Sequence, residues 1–233
     1  MLLSEIFDQL HHGELSSLDL GGDEEGDIIA ENYPRVISHI NLALTALYKL
    51  FPLSTGTVTI TQDEAVSKYY LDSAYSAVTG TASTLYLIDT VAEPFVDNVL
   101  KIETIYDEDG DICFFNEASE VTSMFNVDFD SFTVPNPVTG ENLQVKYRAD
   151  HEAISINEAD PSAVNVRISR ALMEPLLFYV ASRAFASSPP LEGVDRSAQY
   201  LAKFEASVMR IKDLDLVNDE EQANEKLDDN GWP

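Results

Sequence analysis

The stretch ENYPRVISHINLALTALYKLF, residues 31–51, decides how the helical part of this chain folds. Its apolar side chains recur every three or four residues, which is the pattern of a helix with one buried face. Pro34 lies near the start, where a missing backbone N–H is harmless, and Pro52 ends the helix. The segment 29–54 is therefore predicted to hold the first long helix. Its buried face consists of Ile37, Ile40, Leu44, Leu47, Tyr48 and Phe51.

Two further helices are predicted within residues 164–216. The short connector SSPPLEGVD makes them antiparallel neighbours, and Pro175 predicts an early turn or a kink in the first of the two. Neither has enough apolar surface to stand without a partner, so the helix of residues 29–54 is the expected third member of a bundle. The predicted buried stripes are Leu172, Leu176, Leu177, Val180, Ala184 and Phe185 in one helix, and Val194, Leu201, Phe204, Val208 and Ile211 in the other.

The residues between these helices, 55–163, change to two-residue alternation interrupted by turn residues, which predicts strands. The best hairpin joins VLKIETIY to DICFFN through the turn DEDG. The fold class is therefore α+β, a bundle of three main helices interrupted by an antiparallel β-rich lobe. Other strand candidates are TGTVTITQ, SKYYLDS, TLYLIDT and the pair SFTVP and LQVKYRA, which flank the loop PNPVTGEN.

The two ends of the chain are predicted to be an acidic N-terminal arm, residues 1–28, and an extended C-terminal tail, residues 217–233. The tail has six carboxylates, one lysine and almost nothing to bury, yet it carries the only tryptophan of the chain, Trp232. Burial of some 150–250 Å² of that ring is worth roughly 4–6 kcal/mol gross. Trp232 is thus a docking anchor for a neighbouring molecule, or a residue that folds back onto its own domain. The predicted docking residues are Leu227, Asn230, Gly231, Trp232 and Pro233.

The charge of the chain is strongly negative: 14 Lys and Arg stand against 41 Asp and Glu, for a formal net charge of −27. This balance argues against binding of a phosphate backbone, which needs clustered cations. It argues equally against binding to an anionic membrane surface. An ordinary solvated acidic face, a surface that repels DNA and a surface that meets a basic partner all remain open.

No pattern in the sequence predicts catalysis, a cofactor or a metal site. Cys113, the only cysteine, lies in the apolar run ICFF and is expected to be a buried structural thiol. The four histidines form no H-x-x-x-H pair, and no nucleotide-binding or nucleophile motif occurs. The acidic run Asp107–Asp111 aligns poorly with a calcium loop and is predicted to be a hairpin turn. Without a signal-like or membrane-spanning segment, we expect a soluble protein from a reducing compartment.

Aromatic residues crowd the predicted β lobe in two groups. We expect most of them to be core, and about one in three to lie on a surface between subunits, where Tyr and Phe are enriched. The first group is Tyr69, Tyr70, Tyr75 and Tyr86; the second is Phe114, Phe115, Phe125, Phe129 and Phe132.

In the order of its parts the chain resembles the head-to-tail adaptor, or connector, proteins of tailed bacteriophages, especially short-tailed ones. The likeness covers most of the chain. It lies in the acidic leader, the helix ENYPRVISHINLALTALYKLF, the β-rich insertion, the helices LMEPLLFYVASRAFAS and SAQYLAKFEASVMRIKDL, and the extended tail. The phrases TVPNPVTGENLQVKYRADHEAI and NGWP are also similar to adaptors. The acidic leader and the β insertion are longer than in some adaptors.

The resemblance implies a virion protein of the head-tail junction, made in the host cytoplasm, that forms a homo-oligomeric ring of twelve subunits under the portal protein. It implies that the β lobe faces a tail or nozzle protein, that the tail reaches onto the portal, and that DNA passes through the lumen without specific binding. Twelve chains at −27 would line such a ring with roughly −320 formal charges, which repel DNA at short range. The alternatives are a tail-completion or stopper subunit and an acidic DNA-mimic binding module.

Overall fold

The computed structural model describes residues 1–18, 20, 28–187 and 191–217. Within them the fold is mixed α+β, with four α-helices and antiparallel sheets, which confirms the predicted class. Contacts divide the chain into unit 1, Met1–Pro52 with Ala153–Pro233, and unit 2, Leu53–Glu152. None of the described helices is long and apolar enough to cross a lipid bilayer. The helices are α1 Leu3–His12, α2 Tyr33–Leu50, α3 Met173–Ala186 and α4 Leu191–Asp213.

The first residues of the chain are a packed part of unit 1, whereas the sequence predicted an acidic arm over residues 1–28. In α1, Leu3, Ile6 and Leu10 are completely buried. The N-terminal ammonium donates a hydrogen bond to Asn165 Oδ1 at 2.8 Å, and Leu3 N donates to Val164 O at 3.0 Å. The amphipathic pattern of α1 was visible in the sequence, but its partner lies some 160 residues along the chain and was not. Residues 21–27 of the predicted arm lie outside the described part.

Helix α3 is the central helix of unit 1, because it packs against α2 and α4 and also contacts α1. Its side chains Leu176, Val180 and Ala181 are completely buried, and apolar residues surround most of its circumference. Pro175 lies in the first turn, where no intrahelical N–H donor is needed. A helix that is apolar on nearly all sides belongs in the middle of its layer.

The predicted stripe of α4 is correct in its second half and wrong in its first. Phe204, Val208 and Ile211 are buried, but Val194 and Leu201 are 64% and 43% exposed. Spacing by three, four and seven residues does not separate two neighbouring stripes of one helix, and α3 covers only the stripe that contains Phe204. Helix α4 therefore has a second apolar stripe without cover among the described residues.

The boundary between the β-rich part and the last helices lies earlier than the predicted residue 163. Residues from Ala153 onward belong to unit 1. Asn41 on α2 holds Ile154 through a pair of hydrogen bonds, from Asn41 Nδ2 to Ile154 O at 2.8 Å and from Ile154 N to Asn41 Oδ1 at 3.0 Å. Tyr48 Oη donates to Arg167 O at 2.9 Å. These polar contacts of α2, which carry no periodic signal, fix residues 153–167 to the helices.

Unit 2 contains two antiparallel sheets, one with the strand order β3-β1-β7-β4 and one with the order β2-β6-β5. Strands β1 and β7 pair over their full length, and Gly56 lies opposite Tyr147. A Cβ atom at Gly56 would overlap the Tyr147 ring, so a larger residue there would require that ring to move. The strands are β1 Thr55–Thr61, β2 Lys68–Tyr70, β3 Leu87–Ile88, β4 Val99–Tyr106, β5 Phe125–Asp128, β6 Ser131–Thr133 and β7 Asn142–Ala149.

The predicted hairpin of VLKIETIY and DICFFN is only partly present. The chain reverses at the acidic turn, where Asp107 Oδ1 accepts from Asp109 N at 3.0 Å and from Asp111 N at 2.9 Å. Gly110 takes φ +89°, which favours glycine. Beyond the turn, however, only Ile112 bridges Tyr106, and the full-length partner of β4 is β7. Strand β4 thus pairs with the distant β7, which has the clearer alternation of apolar and polar residues, and not with the nearby apolar run.

Candidate interaction surface

The predicted docking residues of the tail, Leu227, Asn230, Gly231, Trp232 and Pro233, lie outside the described residues. Their role stays a prediction from the sequence.

The first aromatic group of unit 2 is one packed cluster, in which Tyr69 and Tyr86 are buried and Tyr70 and Tyr75 are half-buried. Tyr75 stacks on Tyr70 and on Tyr86, with ring centroids 5.6 and 4.8 Å apart, and Tyr69 meets Tyr86 edge-on at 5.0 Å. Tyr86 Oη accepts a hydrogen bond from Tyr70 N at 2.8 Å. Burial raises the pKa of Tyr86 well above its ordinary value. These tyrosines stabilise the interior of unit 2.

The second aromatic group divides between the core and the surface. Phe132 is completely buried, and Phe115 packs partly against the core. In contrast, Phe114, Phe125 and Phe129 are 49%, 39% and 63% exposed. Together with the exposed Val127 of β5, these three phenylalanines form what we call the aromatic patch.

Alternation along two adjacent segments explains why the aromatic patch faces solvent. Phe115 bridges Met124, and Met124 N donates to Phe114 O at 2.9 Å, so residues 114–116 run beside the start of β5. Phe115 and Met124 point inward. Their chain neighbours Phe114 and Phe125 must then point to the opposite side, since successive side chains of extended backbone alternate.

Phe129 occupies the two-residue turn that joins β5 to β6. Turns usually carry Gly, Asn, Asp or Ser, because these residues suit turn backbone and remain solvated. A phenylalanine with 63% of its surface exposed at such a tip costs hydration and contributes little to the core. Phe129 is therefore accessible to another molecule.

The segments that carry the aromatic patch also carry carboxylates. Glu117, Glu120 and Asp128 are exposed. Asp128 Oδ2 forms an ion pair with Lys68 Nζ at 3.1 Å, so the charges of these two residues balance each other. Residues 53–152 contain four Lys and Arg against 18 Asp and Glu, so the formal net charge of this unit is −14. An apolar patch on a unit of negative net charge is suited to a partner that offers apolar side chains and cations.

Among the described residues, no group of three His, Cys, Asp or Glu side chains is placed to hold a metal ion. The carboxyl groups with shifted pKa values are held within their own loops. Burial opposes ionisation of Asp89, but hydrogen bonds from Phe95 N, Ser76 Oγ and Val78 N outweigh it, and the pKa of Asp89 is lowered. A hydrogen bond from the Ser162 hydroxyl lowers the pKa of Asp160. Both carboxylates accordingly have an evident structural role.

His39 on α2 is the one histidine with a shifted pKa among the described groups. Burial lowers the pKa of His39, and the charges of Arg35 and Arg183 lower it further. Neither ring nitrogen has a hydrogen-bond partner in the described part of the chain. The folded protein therefore holds His39 neutral under conditions in which the unfolded chain takes up a proton.

Acidification should destabilise the fold through His39. Below the ordinary histidine pKa of 6.5 the unfolded chain binds more protons at this position than the folded chain. The free energy of unfolding therefore decreases as the pH is lowered, until the pH drops below the lowered pKa of His39. Urea unfolding at pH 7.5 and pH 5.5 should show a larger loss in the parent protein than in His39→Gln. The control is His12→Gln, which changes an exposed histidine. An equal loss in parent and His39→Gln would contradict the assignment.

Comparison of this chain with protein-family models and with curated proteins gives no match.

Proposed function

We propose that this chain is a structural virion protein, the head-to-tail adaptor that forms a ring between the portal and the tail of a short-tailed bacteriophage. The observation that carries the proposal is the aromatic patch of unit 2. Three exposed phenylalanines in a chain of net charge −27 are hard to reconcile with a protein that contacts no other macromolecule. The order of helices and β-rich insertion resembles that of adaptors, and this resemblance suggests which macromolecules the patch would contact.

The helical part supports the same proposal. We take α2, α3 and α4 to form the three-helix bundle predicted from the sequence, with α3 in its centre. The outer helices carry exposed apolar side chains: Leu42 on α2 is 45% exposed, and Val194 and Met209 on α4 are 64% and 67% exposed. Side-by-side packing of bundles around a ring would bury such residues.

Ring formation on the portal is the experiment that tests the function. The purified chain should remain monomeric at low salt, because its charge of −27 opposes self-assembly. Mixed with the portal protein of the same virus, it should form rings that negative-stain imaging shows as an added layer beneath the portal. Co-sedimentation with the portal measures how tightly the chain binds to it.

Rings formed by the pure protein at low salt would contradict the requirement for a portal template. Two other outcomes would contradict the adaptor function itself. Binding to a completed head or tail, without any binding to the isolated portal, would favour a tail-completion or stopper subunit. Tight binding to a DNA-processing enzyme with steep salt dependence would favour the DNA mimic.

A further inference from the structure

Helices α2 and α3 are nearly free of carboxylates in a chain that is rich in them. Of the 233 residues, 41 are Asp or Glu, yet α2 contains none and α3 contains only Glu174, in its first turn. Both helices carry an arginine, Arg35 near the start of α2 and Arg183 near the end of α3. Glu174 and Arg183 are nine residues apart, about 14 Å along the helix axis. Neither arginine therefore has an acidic neighbour on its own helix.

The fold brings Arg35 and Arg183 to the same end of the helix pair. Arg35 Nη2 donates to Ser187 Oγ at 2.8 Å and to Ala184 O at 3.3 Å, which places its guanidinium beside the last turn of α3. Arg183 directly precedes Ala184, and its Cζ atom lies 5.5 Å from the centroid of the Tyr179 ring. Both arginines are exposed. Such contacts orient a guanidinium and leave donors at its edge for a further ligand.

His39 lies beside the two arginines. It follows Arg35 by one helical turn, on the same side of α2. The charges of Arg35 and Arg183 both lower the pKa of its ring. Both ring nitrogens are buried and have no hydrogen-bond partner among the described residues. Buried polar atoms usually have a partner, so these nitrogens and the two guanidiniums together mark a position where negative charge would be stabilised.

Neither arginine is paired with a carboxylate of the described residues. The hydrogen bonds of Arg35 are made by Nη2 alone, and Arg183 reaches only Tyr179 Oη, at the long distance of 3.5 Å. Two cations held on adjacent helices repel each other, and an anion between them would offset that repulsion. Guanidinium donors match pairs of oxygen atoms in carboxylates and phosphates. The chemistry of the cluster is therefore that of an oxyanion ligand.

We propose that Arg35, Arg183 and His39 form a binding site for an oxyanion, a phosphate or a carboxylate, where the start of α2 meets the end of α3. The two guanidiniums bind the oxygen atoms, and the imidazole of His39 is the neighbouring group that responds to the added charge. The site does not depend on the proposed adaptor function, because all of its residues belong to unit 1 of a single chain.

Titration of the full chain with inorganic phosphate, followed by NMR of the histidine rings, tests the site. The signal of His39 is assigned by its loss in His39→Gln, and sodium chloride keeps the ionic strength constant. Phosphate should shift the His39 signal along a saturable curve. Bound phosphate should also raise the pKa of His39, because it offsets the arginine charges that lower it. An equal shift with chloride alone would overturn the proposal.

Arg35→Gln and Arg183→Gln should each weaken phosphate binding about tenfold, the loss typical of one charge-assisted hydrogen bond. The matched control is Arg210→Gln, the same change at an exposed arginine of α4, which should leave the affinity unchanged. Arg35 also contacts α3, so circular dichroism checks the fold of its variant. Arg183→Gln removes an exposed side chain and repeats the test without that contact. Unchanged affinity in both variants would overturn the site.

The same titration with a tetraglutamate peptide distinguishes the two sources of oxyanion. An arginine-dependent shift with phosphate and none with the peptide would assign the site to free phosphate. The reverse result would assign it to a carboxylate presented by a protein. If neither ligand shifts the His39 signal, the proposal is wrong. None of these measurements involves the portal, so their failure and the failure of the adaptor function are distinguishable.

Discussion

Leu176→Ala is expected to lower the free energy of unfolding by about 3 kcal/mol, the loss typical of a buried leucine whose removal leaves a cavity. Leu176 is completely buried on α3, the helix that contacts both α2 and α4. Neighbours on several sides cannot all move in to fill the space, so little of the loss should be recovered. Urea unfolding followed by circular dichroism should show a lower midpoint with an unchanged slope.

The control for Leu176→Ala is Leu42→Ala, which makes the same chemical change on the outer side of α2. Leu42 is 45% exposed, so its truncation should cost well under about 1 kcal/mol. Equal losses in the two variants would contradict the central position of α3. A lower slope in Leu176→Ala would instead indicate that unfolding no longer occurs in one step.

The helices were the most predictable part of the fold, because their burial is local and periodic. Ile37, Ile40 and Leu44 recur at helical spacing and are buried as expected. The same rule misplaced Val194 and Leu201, since periodicity predicts that a face is apolar but not what covers it. On α4 one apolar face meets α3, and the other has no cover among the described residues.

The strands were predictable one by one but not in their pairing. The alternation in β1 and β7 is plain in the sequence, yet the two strands lie more than 80 residues apart and pair over their full length. The run ICFF, next to β4 in the chain, was the expected partner of β4 and forms only one bridge with it, between Ile112 and Tyr106. Pairing depends on side chains brought together by the whole fold, which local pattern does not contain.

The interaction surface was predictable in kind but not in position. Composition indicated more aromatic residues in the β-rich part than its core should hold. Only the structure separates buried Phe132 from exposed Phe125 and Phe129, because the separation depends on which side of each strand faces the core. The predicted docking residues of the tail lie outside the described residues, so the sequence remains the basis for that prediction.

The sequence of the tail combines one large aromatic side chain, Trp232, with residues that are almost all polar. Residues 217–233 contain six carboxylates, and Leu227 is their only sizeable aliphatic residue beyond Val217. Such a segment gains little free energy by folding on itself. Unit 1 meanwhile has a well-buried core formed by residues that precede the tail. Trp232 is therefore expected to contribute to binding and not to folding.

Trp232→Ala should weaken attachment to the portal by about 30-fold to 1,000-fold, which corresponds to the roughly 2–4 kcal/mol typical of a tryptophan hot spot. Deletion of residues 218–233 should have at least this effect. The free energy of unfolding should be unchanged in both variants. The control is Gln222→Ala, a polar substitution in the same tail that leaves the ring in place. Co-sedimentation with portal gives the binding, and urea unfolding gives the stability. Undiminished binding by the truncated chain would refute the docking role, and a loss of stability with Trp232→Ala would show that the ring folds back onto its own domain.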